Sequence, residues 1–164
     1  METKAYLHTL KGKNMNEILQ NKGLLLQAEI YQTREEFVTI AERTLECREK
    51  LVYYLGSMEL LASMYDQEYE RDYYIPTRIK RGIDVKMLCP ATPLMLEYQA
   101  TDSNEDRQTR ALPPDIDMQH SVMIYDDTVI FFGKEKEPFA LSINSASIAD
   151  TMKKAFENMW HHSK

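Results

Sequence analysis

The chain has 164 residues, 43% of them hydrophobic and 28% charged, the balance of one globular domain able to bury roughly two thirds of its unfolded surface. Its net charge of -6 is the wrong sign for a surface built to grip nucleic acid. No apolar run approaches the ~20 residues of a membrane span, and the opening residues are too polar for a secretory signal.

The two cysteines, Cys47 and Cys89, lack the close spacing of a zinc site and are expected to be buried, reduced thiols in a cytoplasmic protein. No metal or cofactor is expected. Along the chain, Ala5-Tyr6-Leu7 can open a strand, and Asn14 to Gln20 can form one or two helical turns before Gly23. Residues 1–32 are read as an N-terminal arm or linker, and residues 33–164 as the domain proper.

Thr33-Arg-Glu-Glu36 has the form of a capping box, in which the threonine takes a first-turn amide and Glu36 reaches back. Phe37, Ile40, Ala41, Thr44 and Leu45 then share one helical face. Lys50 to Leu55 reads as a largely buried strand ending at Gly56, and Ser57 can cap a short helix through Tyr65 with Glu59 in its first turn. Asp66 to Tyr74 is helical in composition. Pro76 is expected to halt it and to open a new helix to Arg81, closed by Gly82. Ile83 to Cys89 is a second strand, so strand, helical crossover and strand predict a parallel unit. Thr92 to Ala100 is a short helix, Thr101 to Asp106 a polar loop, and Arg107 to Leu112 an edge strand stopped by Pro113-Pro114.

The last third is the most legible. His120-Ser-Val-Met-Ile-Tyr125 and Thr128-Val-Ile-Phe-Phe132 flank Asp126-Asp127, a hairpin signal, and Phe139 to Ile143 adds a third strand after a polar turn. Ser145 is expected to cap a helix whose Ile148, Met152, Ala155, Phe156, Met159 and Trp160 recur at helical spacing. The fold class is therefore α/β: a mixed sheet with helices, and a C-terminal antiparallel meander followed by a helix.

Parallel strands present ligand-binding groups at their carboxyl ends. Those positions hold Gly56-Ser57-Met58-Glu59 and Pro90-Ala91-Thr92-Pro93, so Ser57, Glu59 and Thr92 are candidate ligand contacts. Plain helix capping explains Ser57 and Thr92 equally, and is the commoner use of such residues. His120 is the fourth candidate. Phospholipase D-type phosphodiesterases carry His-x-Lys with Asp after four further residues; the histidine attacks phosphorus and the lysine neutralises phosphate charge. His120 and Asp127 have that spacing, but Val122 stands at the lysine position, and the stretch occurs once where the chemistry uses two. No catalytic residue is assigned. Arg78, Lys80, Arg81 and Lys86 follow an acidic run and are expected to form a solvated face; Tyr65, Tyr69, Tyr73 and Tyr74 are expected to form a packing or subunit face. His161 and His162 suit a helix C-terminus.

Taken in order, several stretches resemble the effector-binding region of TrmB-type transcriptional regulators, whose fold is phospholipase D-like. They are Thr33 to Phe37, Leu51 to Ser57, Tyr74 to Ile83, Arg107 to Arg110 with Leu112-Pro113, Ile124 to Val129, and Ala149 to Trp160. The resemblance implies a non-catalytic domain that senses a sugar or other small metabolite and forms a homodimer. Such regulators also carry a winged helix-turn-helix, and the residues before Thr33 are too few to supply one. DNA would then be reached only through a partner or a further domain. A phosphodiesterase, or a protein-interaction scaffold without a small-molecule ligand, are the alternatives.

Overall fold

The structure, a computed structural model, describes residues 27–116, 118–134 and 136–163. The strand expected at Ala5 and the helical turns at Asn14 to Gln20 fall outside them. Seven strands form one mixed sheet: β1 (Gln27–Tyr31), β2 (Leu51–Leu55), β3 (Asp84–Cys89), β4 (Arg107–Ala111), β5 (Ser121–Tyr125), β6 (Thr128–Lys134) and β7 (Pro138–Asn144). Their order across the sheet is β1-β7-β6-β5-β2-β3-β4.

The sheet has two halves. β2, β3 and β4 are parallel, as the strand–helix–strand reading requires, and β4 lies at one edge. β5, β6 and β7 are the antiparallel meander, with β1 added antiparallel to β7 at the other edge. The halves meet where β2 pairs antiparallel with β5, through Tyr53↔Ile124, Tyr54↔Met123 and Leu55↔Val122. Strand β1 has no clear sequence signal; its alternation carries only Tyr31 to the buried side and leaves Ile30 exposed.

The two faces are covered unequally. One carries α1 (Arg34–Leu45), α2 (Met58–Met64), α3 (Gln67–Tyr69), a π-helical turn at Glu70–Tyr74, α4 (Ile75–Lys80) and α5 (Pro93–Gln99). Phe37, Ile40, Met58, Met64 and Met95 pack there against Val52, Tyr54, Met87, Met123 and Ile130. Among the described residues the other face carries α6 (Ala146–His162) alone, which sets Ala149, Phe156 and Trp160 on Tyr53, Leu88, Ile124 and Val129. Phe156 meets Tyr53 edge-on at 5.0 Å and stacks with Trp160 at 5.9 Å. Three cations finish the docking: Lys86 bonds Glu157 at 2.8 Å, Lys153 donates to the Asp126 carbonyl at 2.6 Å, and Arg110 lies 4.2 Å over the Trp160 ring while donating to the Trp160 carbonyl at 2.8 Å.

Local chemistry is mostly as the residues dictate. The capping box at Thr33 forms, with the Glu36 amide donating to Thr33 Oγ1 and the Thr33 amide to Glu36 Oε2. Asp126 takes the left-handed conformation of the β5–β6 turn, which aspartate tolerates, and its carboxylate accepts the amides of Arg48 and Glu49, both at 3.0 Å.

Four expectations are corrected. Pro76 does not halt the preceding helix; the chain stays helical through a π turn in which the Ile75 amide donates to the Glu70 carbonyl, and this wider turn precedes the residue that has no amide to give. Ser145 precedes α6 but its side chain makes no capping bond. Ala155 faces solvent. Arg78 is not on a solvated face. It is 2% exposed and donates to the carbonyls of Ile83, Glu105 and Asp106, oxygens that the loops entering β3 and β4 bring to one guanidinium.

Both core aromatics of α6 are fully enclosed, so Phe156→Ala or Trp160→Ala should each cost about 3–5 kcal/mol in a denaturant-unfolding measurement. A loss below ~1 kcal/mol would mean that α6 is not docked on the sheet as described.

Candidate functional site

The carboxyl ends of β2 and β3 lie side by side, since Leu55 pairs with Leu88 and the Gly56 amide donates to the Leu88 carbonyl at 2.9 Å. The turns that follow therefore open at one level. Ser57 caps α2, accepting from the Leu60 amide at 3.2 Å, and also donates to Glu59 Oε2 at 3.1 Å. Thr92 caps α5, accepting from the Met95 amide at 3.2 Å, and its hydroxyl faces the same Glu59 carboxylate. Both caps thus double as partners of one acid. Partial burial opposes ionisation of Glu59, yet hydrogen bonds from Thr92, its own amide and Ser57 hold its pKa below the usual carboxylate value.

Gly56 is required for this arrangement. It has φ +136°, and a Cβ there would fall 2.6 Å from the His120 carbonyl oxygen and 2.5 Å from Ser121 Oγ. His120 thus joins the edge through its backbone. Its ring lies elsewhere, over Gly133, where a Cβ would meet the His120 ring at 2.6 Å and the Phe139 ring at 2.5 Å. The structure brings together Ser57, Glu59 and Thr92, and sets the exposed His120 side chain toward the β6–β7 side.

The remaining positions of the histidine stretch are committed to packing or pairing. Val122 points to the α6 face, next to Ile124 in the core, with Leu55 and Phe131 as its strand neighbours. Asp127 pairs with Arg48 at 3.0 Å. Cys89, fully buried at the end of β3, has its thiol pushed up to about 12 by burial, so it holds its proton at neutral pH. Among the described residues, no group of three His, Cys, Asp or Glu is placed to hold a metal ion, and no helix is long and apolar enough to cross a membrane.

A second feature has no counterpart in the sequence reading. Tyr65, Tyr69 and Tyr74 do pack, with Tyr69 within 6.4 Å of both other rings, but with Tyr54 and Tyr98 they also enclose a cavity of about 60 Å³ between the sheet and the helices. Glu70 and Tyr98 share its wall, the Tyr98 hydroxyl donating to Glu70 Oε2 at 2.9 Å. The only sequence signal for this was the density of tyrosine around one interior acid.

No family profile matches the chain, and no curated protein sequence matches it. Solved structures do. TrmBL2, an archaeal chromatin protein whose structure shows a novel mode of DNA binding, superposes with a TM-score of 0.59 at 14% identity, over 99% of this chain and 62% of that one. NucT from Helicobacter pylori gives 0.61 at 12% identity, over 84% and 98%. Nuc from Salmonella typhimurium, a phospholipase D family member, gives 0.57 at 13%, over 85% and 97%. The fold is phospholipase D-like. The chain spans 62% of the length of TrmBL2, and nearly the full length of the other two.

The phospholipase D-like domain has an acid whose titration reports on the strand-end cluster. In a carboxyl NMR titration Glu59 should ionise below the usual value of about 4.3, and Thr92→Val should raise it toward that value. Because the folded pKa is depressed, the stability Glu59 contributes is present above the unfolded pKa and is lost as pH falls through the folded one. Titration of Glu59 at or above the ordinary value would show that Ser57 and Thr92 do not serve it.

Proposed function

We propose that this phospholipase D-like chain is a non-catalytic, ligand-sensing domain of the TrmB type. It binds a sugar or other small metabolite at the edge formed by Ser57, Glu59, Thr92 and His120, as a homodimer in the cytoplasm. DNA is reached only through a partner or a further domain. The observation that carries the non-catalytic reading is the place of Val122. At the position where the phosphodiesterase stretch has its lysine, this chain sets a half-buried valine against the core under α6, so no cation from that position can meet phosphate charge. Asp127, the last member of the stretch, is paired with Arg48.

The likeness to NucT and Nuc keeps the phosphodiesterase as the competing reading, and the likeness to TrmBL2 favours the regulatory one. Partner-borne DNA contact is supported by the net charge of -6, since duplex affinity comes largely from neutralised phosphates. Ten tyrosines and ten methionines, types enriched at interfaces, support self-association.

The purified chain should not hydrolyse a generic phosphodiester such as bis(p-nitrophenyl) phosphate. In a thermal-shift screen a cognate sugar or metabolite at a hundred times its dissociation constant should add about 2.7 kcal/mol of stability. Turnover that His120→Ala abolishes would overturn the reading in favour of an enzyme. A chain that no small molecule stabilises would be a scaffold.

A further inference from the structure

The cavity beneath the π turn has the features of a binding site separate from the strand-end cluster. Its floor is the sheet, with Val85, Met87 and Met123 among the apolar walls, and its roof is the helical layer from Leu61 to Tyr98. The Tyr65 hydroxyl is fully buried with no hydrogen-bond partner among the described residues. A polar group left so in an apolar interior costs free energy unless something meets it.

Glu70 is the second open group. One of its oxygens accepts from Tyr98, and burial raises its pKa. No cation bonds it among the described residues: Arg107 is held by Asp102 at 2.7 Å and Glu105 at 2.6 Å, and Arg78 by three backbone carbonyls. Glu70, Ile75 and Tyr98 also line an outer groove of about 240 Å³, so they form the partition between the cavity and the surface. That groove presents Glu70, Glu97 and Glu105 against Arg71, whose own partner is Asp72.

We propose that this groove and cavity form a binding site for a small organic amine, its ammonium group held by the Glu70 carboxylate and the Tyr65 hydroxyl and its alkyl part seated on the methionine and valine wall. Each part of the site selects for that chemistry. An ammonium supplies the counter-charge that a buried carboxylate needs, and it donates to the lone pairs of an orphan hydroxyl. Tyrosine ring faces attract cations. A carboxylate ligand would face Glu70, Glu97 and Glu105, and each of the three lining arginines, Arg71, Arg78 and Arg107, already has a partner. The inner volume matches about two waters at ~30 Å³ each, so it takes an alkyl group of only a few carbons, with the remainder of the ligand in the outer groove. Entry parts the Glu70–Tyr98 bond, and the π turn that carries Glu70 is the irregular segment of the wall.

The test uses the whole chain and three probes of one shape: isobutylammonium, isobutanol and isobutyrate, followed by calorimetry and by melting temperature. Isobutylammonium should bind and raise the melting temperature, with an affinity about tenfold or more above that of the alcohol, and isobutyrate should not bind. Glu70→Gln, which keeps an acceptor for Tyr98, should weaken the amine about tenfold and leave the alcohol unchanged. Tyr65→Phe should weaken the amine while holding or raising the melting temperature of the unliganded protein, because the orphan hydroxyl is gone. This second variant decides the matter if the first does not fold. No amine binding at tens of millimolar, equal affinity for all three probes, or affinity unchanged in Tyr65→Phe would each overturn the proposal. Sugar binding at the strand-end cluster is read in separate titrations, so neither reading fails with the other.

Discussion

The parallel half of the sheet rests on a buried cation whose partners are neutral. Arg78, on α4, spends its guanidinium on the carbonyls of Ile83, Glu105 and Asp106, the residues that lead into β3 and β4. Burial makes its charged form harder to hold, yet an arginine starts so far above neutrality that it keeps its proton. Three oriented carbonyl dipoles do the work of a counter-ion, and the planar fork fixes where two strands begin. Arg107, at the start of β4, extends the bracing by joining Asp102, Glu105, Thr101 and the Tyr98 carbonyl.

What is fixed at the bottom of the strands is felt at the top. Register carries the position of Ile83 through six residues of β3 to Cys89, and β2 follows by pairing. The result is that Ser57 and Thr92, thirty-five positions apart in sequence, both face Glu59. Gly56 adds the last constraint, because only a residue without a side chain lets the β2 end approach the backbone of His120 and Ser121. The strand-end cluster is thus a product of sheet register and one glycine, and of no loop flexibility.

Those parts of the molecule governed by short-range chemistry were legible in the sequence. The Thr33 capping box, the β5–β6 hairpin around Asp126-Asp127 and the apolar stripe of α6 all depend on residues within a turn or two of one another. Convergence of Ser57, Glu59 and Thr92 was legible too, through the rule that parallel strands align their carboxyl ends. The misreadings share a cause. The charged neighbours of Arg78 point it to solvent, but its role is set by carbonyls up to 28 residues away, which no local pattern reveals. Pro76 reads as a stop because it has no amide to give; the π turn just ahead of it, closed by the Ile75 amide on the Glu70 carbonyl, carries the chain on into α4 with the proline in its first turn. Strand β1 carries almost no pattern of its own, since its place depends on β7, more than a hundred residues downstream. The cavity was invisible because tyrosine density describes packing and void alike.

The junction between the halves has a kinetic consequence. β5, β6, β7 and α6 occupy one continuous stretch from Ser121 to His162, and their pairings span short loops. The parallel half closes longer loops, through helical crossovers, before any of its hydrogen bonds form. Within the sheet, three residue pairs of β2 and β5 join them. The C-terminal unit should therefore collapse first and offer β5 as a template, with the β2 edge arriving later to close the seam. In an intermediate of that kind β5 would be an unpaired edge of Val122, Met123 and Ile124, open to misassociation during refolding, as β7 would be until β1 adds to it.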